Sequence, residues 1–251
     1  MFRTANPTLK DNTFKIGAAI DQAGTMTISG TVNKTATLIL ITMGAALWPW
    51  QLYFGSIIEE PNVAAVYPYL IGGAIGGFIV GIITAFKKKL AYITAPIYAV
   101  LEGLFLGSIS AVFESMYPGI AFQAIMLTFG VLFSLLMAYK SGLIKVTENF
   151  RLGVVAATGG IFLIYLMSFI GSLFGFNMPF IHDSGPIGIG VSVFIVIVAS
   201  LNLVLDFDFI EHGAENGAPK YMEWYAAFGL LVTLVWLYIE ILRLLAKLRD
   251  R

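Results

Sequence analysis

Cysteine is absent from this chain, and its absence excludes disulfide bonds, thiolate catalysis and metal sites with cysteine ligands. Histidine occurs only at His182 and His212, both in predicted loops, and neither the HExxH nor the GxSxG motif is present. No nucleophile is matched to a positioned base. We therefore expect a protein that is not an enzyme and that holds no cofactor and no resident metal.

Charged residues are also scarce. They make up 12% of the 251 residues, whereas hydrophobic residues make up 58%; a soluble domain carries about 25% charged residues. A soluble fold of this length could not bury so much apolar surface, so the composition predicts an integral membrane protein. The formal net charge is zero, so no basic surface indicates a nucleic-acid partner.

The beginning of the chain differs from the rest. Residues 1–33 are rich in Thr, Asn and Gly and lack the apolar run of a signal peptide. We interpret residues 1–33 as a flexible polar leader in the cytosol and residues 34–251 as a seven-helix transmembrane domain. The leader has too few apolar residues to form a core, so we expect it to be dispensable for insertion and transport.

Apolar stretches of about 20 residues, the length that crosses the hydrocarbon core as a helix, follow the leader. Such continuous runs predict helices, because backbone in lipid must satisfy its own hydrogen bonds. The sequence therefore predicts an all-α integral membrane protein, a bundle of seven transmembrane helices. The predicted spans run roughly Thr35–Phe54, Val66–Phe86, Leu90–Phe113, Ala121–Tyr139, Leu152–Phe174, Ile187–Phe209 and Trp224–Leu245.

The second span contains IGGAIGGFIVG, in which Gly73, Gly77 and Gly81 recur on one helix face. Small residues at this spacing let two helix backbones approach closely. We interpret this face as packing inside the bundle rather than as a dimer interface.

Lysine and arginine indicate which side of the membrane each loop occupies. They occur in the leader and in the loops after the second, fourth and sixth spans, whereas the other three loops have none. This alternation predicts a cytosolic N-terminus and, with an odd number of spans, an external C-terminus. The C-terminal region is nevertheless basic, so the seventh segment either is re-entrant or crosses against the rule; we favour a crossing. The basic residues in question are Arg243, Lys247, Arg249 and Arg251.

Four acidic residues lie within or at the end of apolar spans: Glu102, Asp206, Asp208 and Glu240. An ionised acid at mid-membrane costs about 2.5–3.5 kcal/mol, so each is a candidate for an ion or proton pathway. Structural alternatives remain open: the two aspartates could mark a helix end in contact with water, and Glu240 could pair with Arg243.

Glu102 has no cation near it in the sequence, and Tyr98, one turn earlier, is a candidate hydrogen-bond partner. Because an acid facing hydrocarbon is costly, we expect Glu102 to be buried near mid-depth and to face the interior of the bundle.

Three motifs, together with the number of spans, resemble a known family. They are EGLFLG in the third span, LDFDFIEHG at the end of the sixth and LYIEILRLL in the seventh. In this order they are similar to the Bax inhibitor-1/YccA family, also called TMBIM. The resemblance covers residues 35 to 245 and implies a seven-helix fold in which the last helix is central.

The resemblance also implies a pH-sensitive calcium leak channel, gated by a hydrogen-bonded carboxylate pair on the last two helices. The first acid corresponds to Asp206, because the aliphatic Ile210 follows it at the fourth position, and Asp208 is the alternative. The second acid corresponds to Glu240. Two close carboxylates share one proton, so such a pair would respond to pH. Calcium would pass transiently near Asp206 and Glu240, and Glu102 would line the pathway.

The partners expected from this resemblance are calcium ions and protons, as permeant or regulatory ions, and the lipid bilayer. The expected location is the bacterial inner (plasma) membrane. The alternative function is a membrane-embedded regulator of membrane proteases or of a stress response, which would act on a membrane-protein partner through protein–protein contacts. A proton-coupled transporter is a further alternative.

Overall fold

A computed structural model describes residues 24–55, 63–175 and 183–250. Seven α-helices account for most of these residues, and all seven are long and apolar enough to cross a membrane. Each predicted span coincides with one helix, so the predicted all-α membrane fold is confirmed. The helices are α1 (Ile28–Phe54), α2 (Val63–Phe86), α3 (Ala91–Met116), α4 (Ile120–Lys140), α5 (Glu148–Leu173), α6 (Pro186–Glu215) and α7 (Met222–Arg249), with a short 3-10 helix at Lys88–Leu90.

Successive helices run in opposite directions and give the bundle two ends. We call the end where α1 begins, α6 ends and α7 begins the near end; there the Met26 backbone N–H donates to the Ala218 carbonyl at 2.7 Å. The far end is where α3 ends and α4 and α6 begin. At the far end the Arg249 guanidinium donates to the Pro118 carbonyl at 2.7 Å.

Helix α7 is the central element of the bundle. It packs against α1, α3, α4 and α6, and 61% of its most apolar window is buried, against at most 44% in any other span. Leu237 and Leu242, both fully buried, illustrate that large apolar side chains cover several faces of this helix. The prediction that the last helix is central is therefore confirmed.

Glycines bring α2 against α3. A Cβ added at Gly73 would lie 2.7 Å from the Leu101 carbonyl oxygen, and one added at Gly77 would lie 2.7 Å from Glu102 Oε1. At Gly73 the obstructing atoms are backbone, so only glycine permits this separation of the helices there; at Gly77 a larger residue would displace the flexible Glu102 side chain. The interpretation of the glycine face as packing inside the bundle is confirmed for these two positions.

Helix α7 crosses the whole bundle. Its 28 residues span about 42 Å at 1.5 Å per residue, from the near end to the far end. The basic side chains at its C-terminus have polar partners: Lys247 Nζ donates to the Gly188 carbonyl at 3.1 Å and to Ser192 Oγ at 2.9 Å. Hydrogen bonds to neighbouring segments thus accommodate these cations, and one continuous helix of this length supports the crossing that we favoured.

A completely buried acid, Glu223, organises the near end. Its carboxylate forms an ion pair with Lys34 of α1 and accepts from Lys220 Nζ at 2.7 Å. The backbone N–H and the hydroxyl of Thr27 both donate to Glu223 Oε1 at 2.9 Å. We call these four residues the near-end clamp; it joins the start of α1, the α6–α7 loop and the start of α7.

The leader ends earlier than residue 33. Helix α1 begins at Ile28, and Thr27 is its N-cap, whose hydroxyl accepts from the Gly30 N–H at 3.0 Å. Met26 and Thr31 are buried. Threonine side chains therefore cap the first turn of α1 and pack inside it. Their polarity made this segment look like a tail in the sequence, but residues 24–33 belong to the folded domain. Residues 1–23 lie outside the described part of the chain, and their role as a dispensable leader stays a prediction.

The near-end clamp predicts a large contribution of one carboxylate to stability. Glu223→Gln should lower the free energy of unfolding in detergent by about 2–3 kcal/mol, because hydrogen bonds to a charged group contribute about 1.5–3 kcal/mol. Chemical unfolding monitored by circular dichroism measures this change. Glu215→Gln, an exposed acid at the end of α6, is the matched control and should change stability by less than about 0.5 kcal/mol. Equal effects of the two substitutions would contradict the clamp.

Candidate functional site

The structure separates the acids of the membrane-spanning helices into two kinds, those with a basic partner and those without. Glu240 and Asp208 each accept hydrogen bonds from an arginine. Glu102 and Asp206 have no ion pair with any residue in the described part of the chain. This difference separates acids whose charge is balanced by an arginine from acids whose charge is not balanced by a described basic residue.

Glu102 lies near the middle of α3 and is 9% exposed. Its carboxyl faces the glycine face of α2 at Gly77, and its side-chain partner is the Tyr98 hydroxyl. The Tyr98 ring packs edge-on against Phe228 of α7, with 4.9 Å between ring centroids. The expectation that Glu102 is buried, central and directed into the bundle is therefore confirmed, as is its interaction with Tyr98.

Asp206 lies in the second half of α6 at its interface with α7. Its Oδ2 atom is buried and has no hydrogen-bond partner among the described residues. The Thr233 hydroxyl of α7 is the side-chain group that interacts with this carboxyl, and the same hydroxyl lies 3.3 Å from the Gly229 carbonyl. A carboxyl with one unpartnered oxygen in a helix interface is the least satisfied polar group described in the bundle.

Asp208 is buried but is paired towards the near end. Arg151 of α5 donates to Asp208 Oδ2 at 2.6 Å, and His212 Nδ1 lies 3.3 Å from Asp208 Oδ1. The side chains of Arg151 and His212 are 55% and 59% exposed. Asp208 thus connects α5 to the last third of α6; it is 6% exposed and α6 continues to Glu215, so the alternative in which Asp208 marks a helix end in contact with water is wrong.

Glu240 has a complete set of partners in the far half of the bundle and is 2% exposed. The Tyr165 hydroxyl of α5 donates to its two carboxylate oxygens at 2.9 and 3.1 Å. Arg243 Nη1 lies 3.2 Å from Glu240 Oε1 and donates to the Tyr165 oxygen at 2.7 Å. The alternative in which Glu240 pairs with Arg243 is therefore confirmed.

Asp206 and Glu240 are not brought together. The residue of α7 next to Asp206 is Thr233, which precedes Glu240 by seven positions, or about 10 Å along the helix axis. Because α7 crosses the bundle continuously, the two acids lie at different depths and each has other neighbours. The predicted direct carboxylate pair between α6 and α7 is not formed in this structure.

An unpaired acid in this setting has two ways to lower its free energy. In a low-dielectric interior an ionised carboxylate without a partner is costly, whereas a protonated carboxyl or one beside a bound cation is not. Asp206 and Glu102 are in this situation, on helices that both pack against α7. Among the described residues no group of three or more acids or histidines is placed to hold a metal ion, so each of these two acids stands alone in its helix interface.

Sequence reasoning missed the groups that decide these roles. Tyr165 and Thr233 lie in apolar spans, where neither residue indicates a polar network by itself. Glu223 was assigned to a loop, although it lies in the first turn of α7. The spacing of residues was a usable signal. Thr233 lies seven residues before Glu240 and therefore on the same side of the helix. If that side faces Asp206, Thr233 is as good a candidate neighbour of Asp206 as Glu240 is.

The Glu240 network predicts a structural effect of Tyr165. Tyr165→Phe removes one hydroxyl and should lower the free energy of unfolding by about 1–2 kcal/mol, because the Glu240 carboxylate loses a buried donor. The control Tyr92→Phe removes a hydroxyl from an exposed side chain of α3 and should change stability by less than about 0.5 kcal/mol. Thermal unfolding in detergent compares the two proteins; a neutral Tyr165→Phe would show that Arg243 alone satisfies Glu240.

The comparisons with known proteins agree with these features. The family described as Bax inhibitor 1 like matches residues 6–250, nearly the whole chain. No curated protein and no solved structure gives a significant match. With seven helices long and apolar enough to span a membrane, the last of them central, and a match over almost its full length, this multi-pass integral membrane protein belongs to the Bax inhibitor 1-like family.

Proposed function

We propose that the protein is a pH-sensitive calcium leak channel of the Bax inhibitor-1 type. The observation that supports this most directly is the carboxyl of Asp206 between α6 and α7: the residue is half-buried, and its buried Oδ2 atom has no hydrogen-bond partner among the described residues. A structural acid in a membrane protein acquires a partner, as Glu240 does with Arg243 and Asp208 does with Arg151. An acid left without one at a helix interface is typical of an ion or proton pathway.

In this proposal the four acids have different roles. Asp206 senses protons and Glu102 lines the pathway, because neither has a basic partner among the described residues. Glu240 and Asp208 hold α5 against α7 and α6 through Tyr165 and Arg151. The gate is thus the Asp206 region of the α6–α7 interface, and the acid pair of the sequence hypothesis is replaced by one titrating acid on α6.

Protonation would control the channel through charge. When Asp206 and Glu102 carry protons they are neutral and the helices around them pack without a cation. When they lose their protons, their negative charges are relieved by a hard divalent cation, and calcium is coordinated by carboxylate, carbonyl and hydroxyl oxygens. The direction of the effect follows: calcium flux should rise as pH rises.

The basic residues of the loops indicate which end of the bundle faces the cytosol. The near-end loops contain Lys87–Lys89, Lys145 and Lys220, whereas the far-end Lys247 and Arg249 belong to the last turn of α7 rather than to a loop between helices. We propose that the near end faces the cytosol, by the positive-inside rule, and that the membrane is the bacterial inner membrane.

The central test is calcium flux into liposomes that contain the purified full chain. Flux should be higher at about pH 8 than at about pH 6, because an ionised carboxylate attracts a divalent cation and a protonated carboxyl does not. Asp206→Asn and Glu102→Gln should each reduce this pH dependence, since an amide does not titrate. Asp206→Asn should have the larger effect: the ratio of its flux at the higher pH to its flux at the lower pH should be about one.

The control is Asp208→Asn, two positions further along the same helix, which should keep most of the pH dependence because Asp208 is neutralised by Arg151. If Asp208→Asn abolished the response while Asp206→Asn spared it, the assignment of the sensor would be wrong. If the unsubstituted protein gave no flux at any pH, the leak itself would be wrong. The alternative function, regulation of a membrane-protein partner, would then be favoured.

A further inference from the structure

A cavity of about 380 Å³ lies between α1, α3, α4 and α7, away from the four acids. Leu106 of α3 and Leu234 and Val235 of α7 are among the residues that form its inner wall. Helices α1 and α4 contact each other little, so the cavity occupies the space between them. Its volume is within the range of pockets that bind small organic ligands.

The polar groups of the cavity wall are already occupied. Ser110 and Tyr238 form a hydrogen bond with each other at 2.7 Å, and the hydroxyls of Thr42 and Thr128 donate to carbonyls of their own helices. A water molecule in a cavity needs two to four polar partners, whereas apolar cavities stay dry or bind apolar molecules. The chemistry of this wall therefore selects an apolar ligand.

The mouth of the cavity is continuous with the lipid-facing surface. It is bordered by Met43 and Leu47 on α1 and by Phe122 and Ile125 on α4, all exposed residues of membrane-spanning helices. In a bilayer, the molecules that meet this mouth are acyl chains. Water is excluded from this depth, so the continuity of the mouth with the protein–lipid interface identifies the occupant as an acyl chain.

A basic side chain at the far end could bind the phosphate of a lipid headgroup. Ala121 and Phe122, in the first turn of α4, border the cavity, and the neighbouring Gln123 accepts from Arg249 Nη2 at 2.9 Å. Arg249 does not line the cavity, but it is exposed and also donates to the Pro118 carbonyl at 2.7 Å, so its guanidinium lies beside the first turn of α4 where the cavity begins. The acid beside it, Asp250, accepts a hydrogen bond from Ser184 Oγ at 2.7 Å.

We propose that this cavity binds one acyl chain of a phospholipid from the far-end leaflet, with the lipid phosphate held by Arg249. The chain fills the gap between α1 and α4 and contacts α7 directly, at Leu234 and Tyr238. A bound lipid would thus pack against the central helix where α1 and α4 leave a gap. This site is independent of the acids of the proposed channel and does not rest on that function.

The test uses the full chain in bilayer nanodiscs that contain a phospholipid with a photoactivatable group in its acyl chain. After illumination, mass spectrometry of the peptides should locate the cross-links mainly on the α1 and α4 residues of the mouth. Ile125→Trp enlarges a side chain at the mouth and should reduce cross-linking there by at least about threefold, because the ring narrows the opening. Ala156→Trp, on the exposed surface of α5, is the control and should leave the yield unchanged.

A competition experiment tests the headgroup contact. In the unsubstituted protein the phospholipid should displace a diacylglycerol with the same acyl chains, and Arg249→Gln should remove this preference. Lys140→Gln, an exposed lysine at the near end, should preserve it. Cross-links spread evenly over all lipid-facing helices, or an unchanged yield in Ile125→Trp, would overturn the acyl-chain site. A preference that survives in Arg249→Gln would overturn the assignment of the phosphate.

Discussion

The burial of α7 is the constraint on which the rest of the structure depends. A helix that is surrounded by protein on nearly all sides cannot direct a polar side chain into lipid headgroups or water, so each of its charges must find a partner on another helix. Glu223 forms an ion pair with Lys34, Glu240 accepts a hydrogen bond from Tyr165, and Lys247 donates one to Ser192. These contacts lie at different depths and fix the position of α7 along its axis as well as its rotation.

The same constraint explains why one acid differs from the others. Asp206 approaches α7 at Thr233, a neutral residue that offers a single hydroxyl. Every other buried carboxylate on α6 or α7 accepts from a lysine or an arginine. The buried acids near both ends of the bundle thus have basic partners, whereas the α6–α7 interface between them contains a carboxyl oxygen of Asp206 without a hydrogen-bond partner among the described residues.

The sequence was sufficient for the helices because length and hydropathy determine what crosses a bilayer, and those are local properties. It was sufficient for Glu102, since a lone acid in a long apolar span has to face the interior. The partners were different. Whether Asp206 meets Glu240 or Thr233 depends on the depth of α7 relative to α6, which the intervening loop and the near-end contacts of Glu223 fix. Motifs shared with a family indicate which residue types are present. They do not indicate that Glu240 lies about 10 Å further along the α7 axis than Thr233, the neighbour of Asp206.

The basic C-terminus has a consequence for how the protein is made. Helix α7 is synthesised last, and the groups that receive Arg243, Lys247 and Arg249 belong to α5, to α6 and to the start of α4 with the turn before it. All of these are translated earlier, and a chain generally acquires structure in the order of its synthesis. Those polar groups have no α7 side chain to bind until α7 packs between the earlier helices. Packing of α7 therefore satisfies polar groups of several helices at once, and a variant without α7 would leave them facing one another or lipid.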